Sequence, residues 1–261
     1  MSWRLVRWIV GAAIVSLAVW VIWTGLGRSP TPLAGKAIEL DLGALPPAAP
    51  PLGPQPLANA PVSPLGPGTF RTMVGPRVTF TVDDRWSLEA MDANQAALLF
   101  GSYAPMNIAA PRLEWVDLTG AGARVVPQAL RGVVGSVGAD EFARWEPLPR
   151  DLAGWFADNS PLTTGQIEAA VVGGRAARSF TFTVPDLPPG AAACVVWACE
   201  RIFGGENWGW PVLEGDVGRI WIVEVDDHTL LIQLRSQPND ADLVMPAGST
   251  VVSSLRIEGV R

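Results

Sequence analysis

Histidine, lysine and tyrosine each occur once in the 261-residue chain, and cysteine twice. One histidine and two cysteines cannot assemble the common zinc ligand sets, and any histidine-based catalytic centre must be built on His228. A phosphate-binding loop is excluded, because its lysine would be Lys36, in a proline-rich stretch. No Gly-x-Ser-x-Gly occurs; in Gly135-Ser136-Val137-Gly138 a glycine sits one residue too near the serine for a nucleophile elbow. No cysteine precedes Cys194, so a lipid anchor on an N-terminal cysteine is ruled out. The net charge is −6 and 18 of the 19 basic residues are arginine, which argues against a phosphate-binding surface and excludes nucleic acid as a partner. No internal period of the length that marks a solenoid or propeller is present.

What the chain does have is a long apolar run. Residues Trp8 to Gly27 carry no charged side chain over twenty positions, and as a helix they would span about 30 Å, the thickness of a bilayer's hydrocarbon core. Trp8 lies at one end and Trp20 and Trp23 near the other, where indole rings favour the headgroup boundary. The run is longer than a signal-peptide core and lacks a good small-residue cleavage site, so an uncleaved anchor is expected over a cleaved signal. Residues 1–7, with Arg4 and Arg7, read as a cytoplasmic tail; the acidic remainder, residues 28–261, reads as extracytoplasmic.

Residues 28–69 hold eleven of the 24 prolines. Proline removes backbone donors and fixes φ, so this stretch is expected to be an extended linker without helix or sheet, a spacer rather than a ligand for a proline-binding partner. Residues 70–261 then read as one domain. Val78 to Val82 alternates strictly and Asp83-Asp84-Arg85 leads into Trp86 to Met91, the pattern of a hairpin. Val217 to Val225 is apolar on both faces apart from Arg219 and Glu224, and Leu230, Ile232 and Leu234 follow in alternation with Leu231, Gln233 and Arg235. These are expected to be central antiparallel strands. Arg112 to Leu118, Arg178 to Val184 and Glu200 to Phe203 are further strand candidates. Leu152, Trp155 and Phe156 at i, i+3, i+4 mark one helix, and Val244, Ala247, Val251 and Leu255 a second, capped by Asp240 or Asp242 and started or kinked by Pro246. The fold class is α+β, an antiparallel sheet with helices on its faces, preceded by one transmembrane helix.

The runs Asp151 to Phe156, Pro161-Leu162, Gly173 to Arg178, Val223 to Ile232, Asp240-Ala241-Asp242 and Val251 to Leu255 together resemble the extracytoplasmic Mog1/PsbP-like domains of uncharacterised bacterial membrane proteins and lipoproteins. The resemblance spans roughly residues 140 to 258 and implies an α/β/α sandwich that acts as a binding or assembly module. It brings no shared catalytic residues, and the Trp-rich insertion at residues 204–211 departs from it.

Cys194 and Cys199, the only cysteines, are expected to form a short-loop disulfide in an exported domain, the alternative being buried free thiols. Beside them, Trp208 and Trp210 lie at i and i+2 between glycines. In an extended strand both indoles point one way, either to stack on a small-molecule ligand or a partner's surface or to cover a sheet face. Trp197 and Arg201 belong to the same candidate binding group. His228, with Asp226 and Asp227 beside it, is expected to be a solvated turn residue, and the pairs Asp83-Asp84 and Asp226-Asp227 turn residues rather than calcium ligands. No metal and no cofactor are called for. The expectation is a membrane-anchored binding or assembly module with an envelope protein or small molecule as partner, not an enzyme. An envelope enzyme with a carboxylate-based site and a structural subunit of an envelope complex are the alternatives.

Overall fold

The computed structural model describes residues 55–56, 63–72, 75–91, 94–101, 110–127, 142–186, 193–194, 197–205 and 208–259, all within one compact unit, Pro51–Arg261. The expected cytoplasmic tail and anchor, residues 1–27, lie outside them. Among the described residues no helix is long and apolar enough to cross a membrane.

The longer strands are β1 (Gly68–Arg71), β2 (Val78–Val82), β3 (Trp86–Met91), β4 (Gln95–Phe100), β5 (Arg112–Asp117), β6 (Glu168–Val172), β7 (Arg175–Thr183), β8 (Trp197–Gly205), β9 (Trp208–Leu213), β10 (Val217–Val225) and β11 (His228–Ser236). The helices are α1 (Leu152–Asn159) and α2 (Ala241–Ser254). The large sheet runs β7-β10-β11-β5-β4-β3, every pairing antiparallel, with β6 and Thr163–Thr164 along the outer edge of β7 and Ser63–Pro64 beyond β3. β10 and β11 are central, as their two apolar faces require.

Alternation along these strands serves two cores. Trp221, Val223, Leu230, Ile232, Leu113 and Trp115 belong to the first, which also takes Phe80, Phe70 and the sheet-facing side of α2. Ile220, Ile222, Leu231, Val116, Phe180 and Phe182 belong to the second, with Leu152 and Phe156 of α1 and Phe203, Trp210 and Val212 of the β8–β9 hairpin. One helix therefore covers each face of the sheet, as the α+β reading expects.

Both helices stand where the spacing puts them. In α1 the carboxylate of Asp151 accepts the Gly154 N–H at 2.9 Å, which satisfies one of the unpaired donors of the first turn. Arg178 pairs with the same carboxylate. The Gly154 N–H and the Arg178 guanidinium together hold Asp151 below the usual carboxylate range. α2 begins before Pro246 and continues through it, preceded by a 3₁₀ turn over Pro238–Asp240. Asp240 occupies the capping position without a side-chain bond. Gly248 lets α2 lie close on β11, since a Cβ there would come within 2.2 Å of Leu234 Cδ1.

Two local expectations are corrected. β2 and β3 are not a hairpin: β2 pairs with β1 and with Arg256–Ile257 in a small sheet, while β3 pairs with β4 and Ser63–Pro64 in the large one. Asp83 makes the corner by accepting the Arg85 backbone N–H and guanidinium, each at 3.0 Å. Phe80 and Trp86 then enter one core from two layers. Nor is the proline-rich stretch free of sheet throughout. Gln55–Pro56 pairs in parallel with β1 and Ser63–Pro64 with Leu88 and Ser87. Both are two-residue pieces at sheet edges, where a proline's missing N–H costs no interior hydrogen bond.

Candidate functional site

The second core changes character along the strands. On the second-core face of β5, Val116 gives way to Glu114 and Arg112; on β11, Leu231 gives way to Gln233 and Arg235. The register sets Gln233 opposite Glu114 and Arg235 opposite Arg112, so two like charges face each other across adjacent strands, a destabilising pair unless anions intervene. They do. Arg112 meets Glu89 at 3.2 Å, and Arg235 meets the buried Asp216 at 2.7 Å. Asp216 also accepts the Gln237 amide at 2.7 Å and the Leu213 N–H at 3.2 Å. Burial, with Arg235 second, lowers the Arg112 guanidinium from its ordinary value.

Glu114 and Gln233 are the next facing pair on the same side of these two strands. Burial pushes the Glu114 carboxyl up. Arg112, Arg235 and a hydrogen bond with Trp210 act in the opposite sense without reversing it, while Glu89 reinforces the rise. Glu114 nevertheless retains partial access to solvent. Gln233 is fully buried, and neither its amide oxygen nor its amide nitrogen has a hydrogen-bond partner among the described residues. An unpaired buried amide is costly, roughly 1–3 kcal/mol for each unsatisfied group, and calls for an explanation. The result is a polar strip in a sheet face that is otherwise packed with Phe, Ile and Leu.

Of the residues singled out in the sequence, Trp210 reaches this strip but is not a surface platform. It is 2% exposed and stacks on Phe203 with ring centroids 4.4 Å apart, so it is a core residue whose indole N–H serves Glu114. Trp208 is registered opposite Gly205; its side chain, and those of Trp197 and Arg201, lie outside the described residues. Cys194 is registered opposite Trp197, and Ala193 opposite Ala198. A bridge from Cys194 to Cys199 would thus join offset positions of a hairpin, and the cysteine side chains also lie outside the described residues.

His228 is not the solvated turn residue that its neighbours imply. Its Nδ1 is 2.8 Å from Oδ2 of the buried Asp117, whose Oδ1 accepts the Gly120 N–H at 2.9 Å. Asp227 is farther, 3.6 Å from Nε2. The pair fixes the turn that follows β5. That turn forms one wall of an open cleft of about 620 Å³ against the start of α1, with Leu118, Thr119, Arg150, Arg178 and Glu224 on its sides. Among the described residues no group of three or more His, Cys, Asp and Glu side chains is arranged to hold a metal ion.

No protein-family model matches the chain, and no curated protein does. Among the solved structures similar in outline, two serve as examples. One is the crystal structure of LpqN, described as involved in cell envelope biogenesis of Mycobacterium tuberculosis: 12% identical, covering 76% of this chain and 90% of that one, TM-score 0.35. The other is the solution structure of cyanobacterial PsbP from Synechocystis sp. PCC 6803: 12% identical, covering 69% of this chain and 86% of that one, TM-score 0.30. At these scores neither neighbour bears on function, and the α+β architecture rests on the strand register and the two cores.

Proposed function

We propose that the chain is a membrane-anchored, extracytoplasmic binding module whose ligand is received by the polar strip of Arg112, Glu114, Gln233 and Arg235. The single observation that carries this reading is Gln233, a fully buried amide with neither atom partnered among the described residues. A fold that buries such a group without a use for it forgoes stability, and departures of this kind concentrate at functional sites. The raised Glu114 carboxyl beside it is the second support.

Binding is favoured over catalysis by the state of the other carboxylates. A carboxylate-based hydrolase needs two facing groups with divergent protonation. Here Glu89 and Asp216 are each committed to an arginine, so neither is free to act as the second carboxylate beside Glu114. The membrane part of the proposal rests on the uncharged run at residues 8–27, and on it the bilayer is a partner and the folded unit lies outside the cell.

Native mass spectrometry of the full chain released from membranes tests the binding claim. A non-covalent adduct is expected on the wild type and absent from a Glu114→Leu/Gln233→Leu variant; an identical spectrum for both overturns it. A phosphatase reporter active only outside the cytoplasm, fused after Arg261, is expected to be active, and a mature chain starting beyond residue 30 would sink the uncleaved anchor.

A further inference from the structure

The strip's chemistry narrows what it binds, and the narrowing rests on the strip being the binding site. Its charges cancel in pairs: Arg112 with Glu89 at 3.2 Å and Arg235 with Asp216 at 2.7 Å. Burial pushes the Glu114 carboxyl up from its ordinary value. An ammonium would approach two guanidiniums. Gln233 presents a carbonyl oxygen that accepts and an amide nitrogen that donates from the same planar edge, and neither atom is partnered among the described residues.

We propose that the strip recognises a primary carboxamide, or a lactam that presents its N–H and C=O on one edge, through paired hydrogen bonds to Gln233. The ligand's N–H donates to Gln233 Oε1 and its carbonyl accepts from Gln233 Nε2. Glu114, opposite Gln233 in the register, supplies the next hydrogen-bonding group. An ordinary trans peptide unit holds its N–H and C=O on opposite sides and cannot make both bonds to one amide, so an extended peptide backbone is not the match.

The test uses the full chain in lipid nanodiscs, labelled with 5-fluorotryptophan, with the Trp210 resonance assigned through Trp210→Phe. Because Trp210 is hydrogen-bonded to Glu114, its resonance reports on the strip. The probes are isobutyramide, isobutyrate and N-methylisobutyramide, close in shape and different in edge chemistry. Isobutyramide is expected to give a saturable shift, with the other two weaker by about tenfold for each hydrogen bond lost. Gln233→Leu is expected to abolish the shift, and Gln233→Met serves the same purpose if the leucine variant does not fold. Isobutyrate binding as well as or better than isobutyramide overturns the carboxamide assignment while leaving the strip a ligand site. A shift that survives both Gln233 variants overturns the role of Gln233. No shift with any probe refutes the carboxamide proposal, and the adduct experiment then decides separately whether the strip binds anything.

Discussion

Asp216 and Arg235 form a charge pair with side chains 1% and 3% exposed, and its two halves are not equivalent. Asp216→Ala removes the carboxylate from Arg235, the acceptor of the Gln237 amide and the acceptor of the Leu213 N–H. It also leaves the Arg235 guanidinium buried opposite Arg112. Stripping a buried ion of its partner costs about 3–5 kcal/mol, which for a unit of this size lowers the melting temperature by roughly 6–20 °C. Arg235→Met leaves Asp216 with two of its hydrogen bonds and relieves the repulsion on Arg112, so a smaller loss is expected, about 1–3 kcal/mol. The double variant removes both charges and is expected to be more stable than Asp216→Ala alone. Urea unfolding of the full chain in detergent, compared at constant slope, measures all three. An Arg235→Met loss equal to or larger than that of Asp216→Ala, or a double variant in which the two losses simply add, would refute the like-charge reasoning.

Three other outcomes are expected. Glu114 has a folded-state pKa above its ordinary value of 4.5, so its contribution to stability is fully present below that value and is lost as pH rises through the folded pKa. Glu114→Gln should therefore be more stable than wild type at neutral pH and show a flatter melting-temperature profile; an unchanged profile contradicts the assignment. Phe156 packs against the rings of Trp155, Phe180, Phe203 and Trp210, with centroids 5.5 to 6.3 Å apart, and Phe156→Ala should cost about 3–5 kcal/mol in denaturant unfolding; a loss well under 1 kcal/mol would remove α1 from the second core. Alkylation of the unfolded, non-reduced chain should add no label to Cys194 or Cys199 until a reductant is present, and immediate double labelling would show free thiols.

The parts of the fold legible in the sequence are those decided by local pattern. β10 and β11 declare themselves central because consecutive residues are apolar, and α1 because Leu152 and Phe156 recur at i, i+4 ahead of a proline. The alternation of Val78 to Val82 and of Trp86 to Met91 is equally local, and it names strands without naming their partners; β2 finds one of its partners at Arg256–Ile257. The same limit hid the partner of His228. Asp226 and Asp227 are visible beside it, but Asp117 lies 111 residues away along the chain. The polar strip had a signal that was hard to weigh. Arg112 and Glu114 alternate with Leu113 and Trp115 as any solvent-facing residues would, and only the β8–β9 layer over that face makes their polarity costly. Val116 and Leu231, apolar on the same face a few residues on, are the trace of that layer in the sequence.

The small sheet has a mechanical consequence. β2 lies between β1 and Arg256–Ile257, so two segments from opposite ends of the folded unit are two strand spacings apart, roughly 10 Å. Tension applied through the stretch preceding β1 and the segment following Ile257 would load these flanking strands first. It would peel the small sheet from both sides while β10 and β11 stay shielded. The proximity also permits a short covalent joint between those segments with a new opening cut elsewhere, a rearrangement that would close the small sheet permanently and leave the polar strip and its two ion pairs untouched.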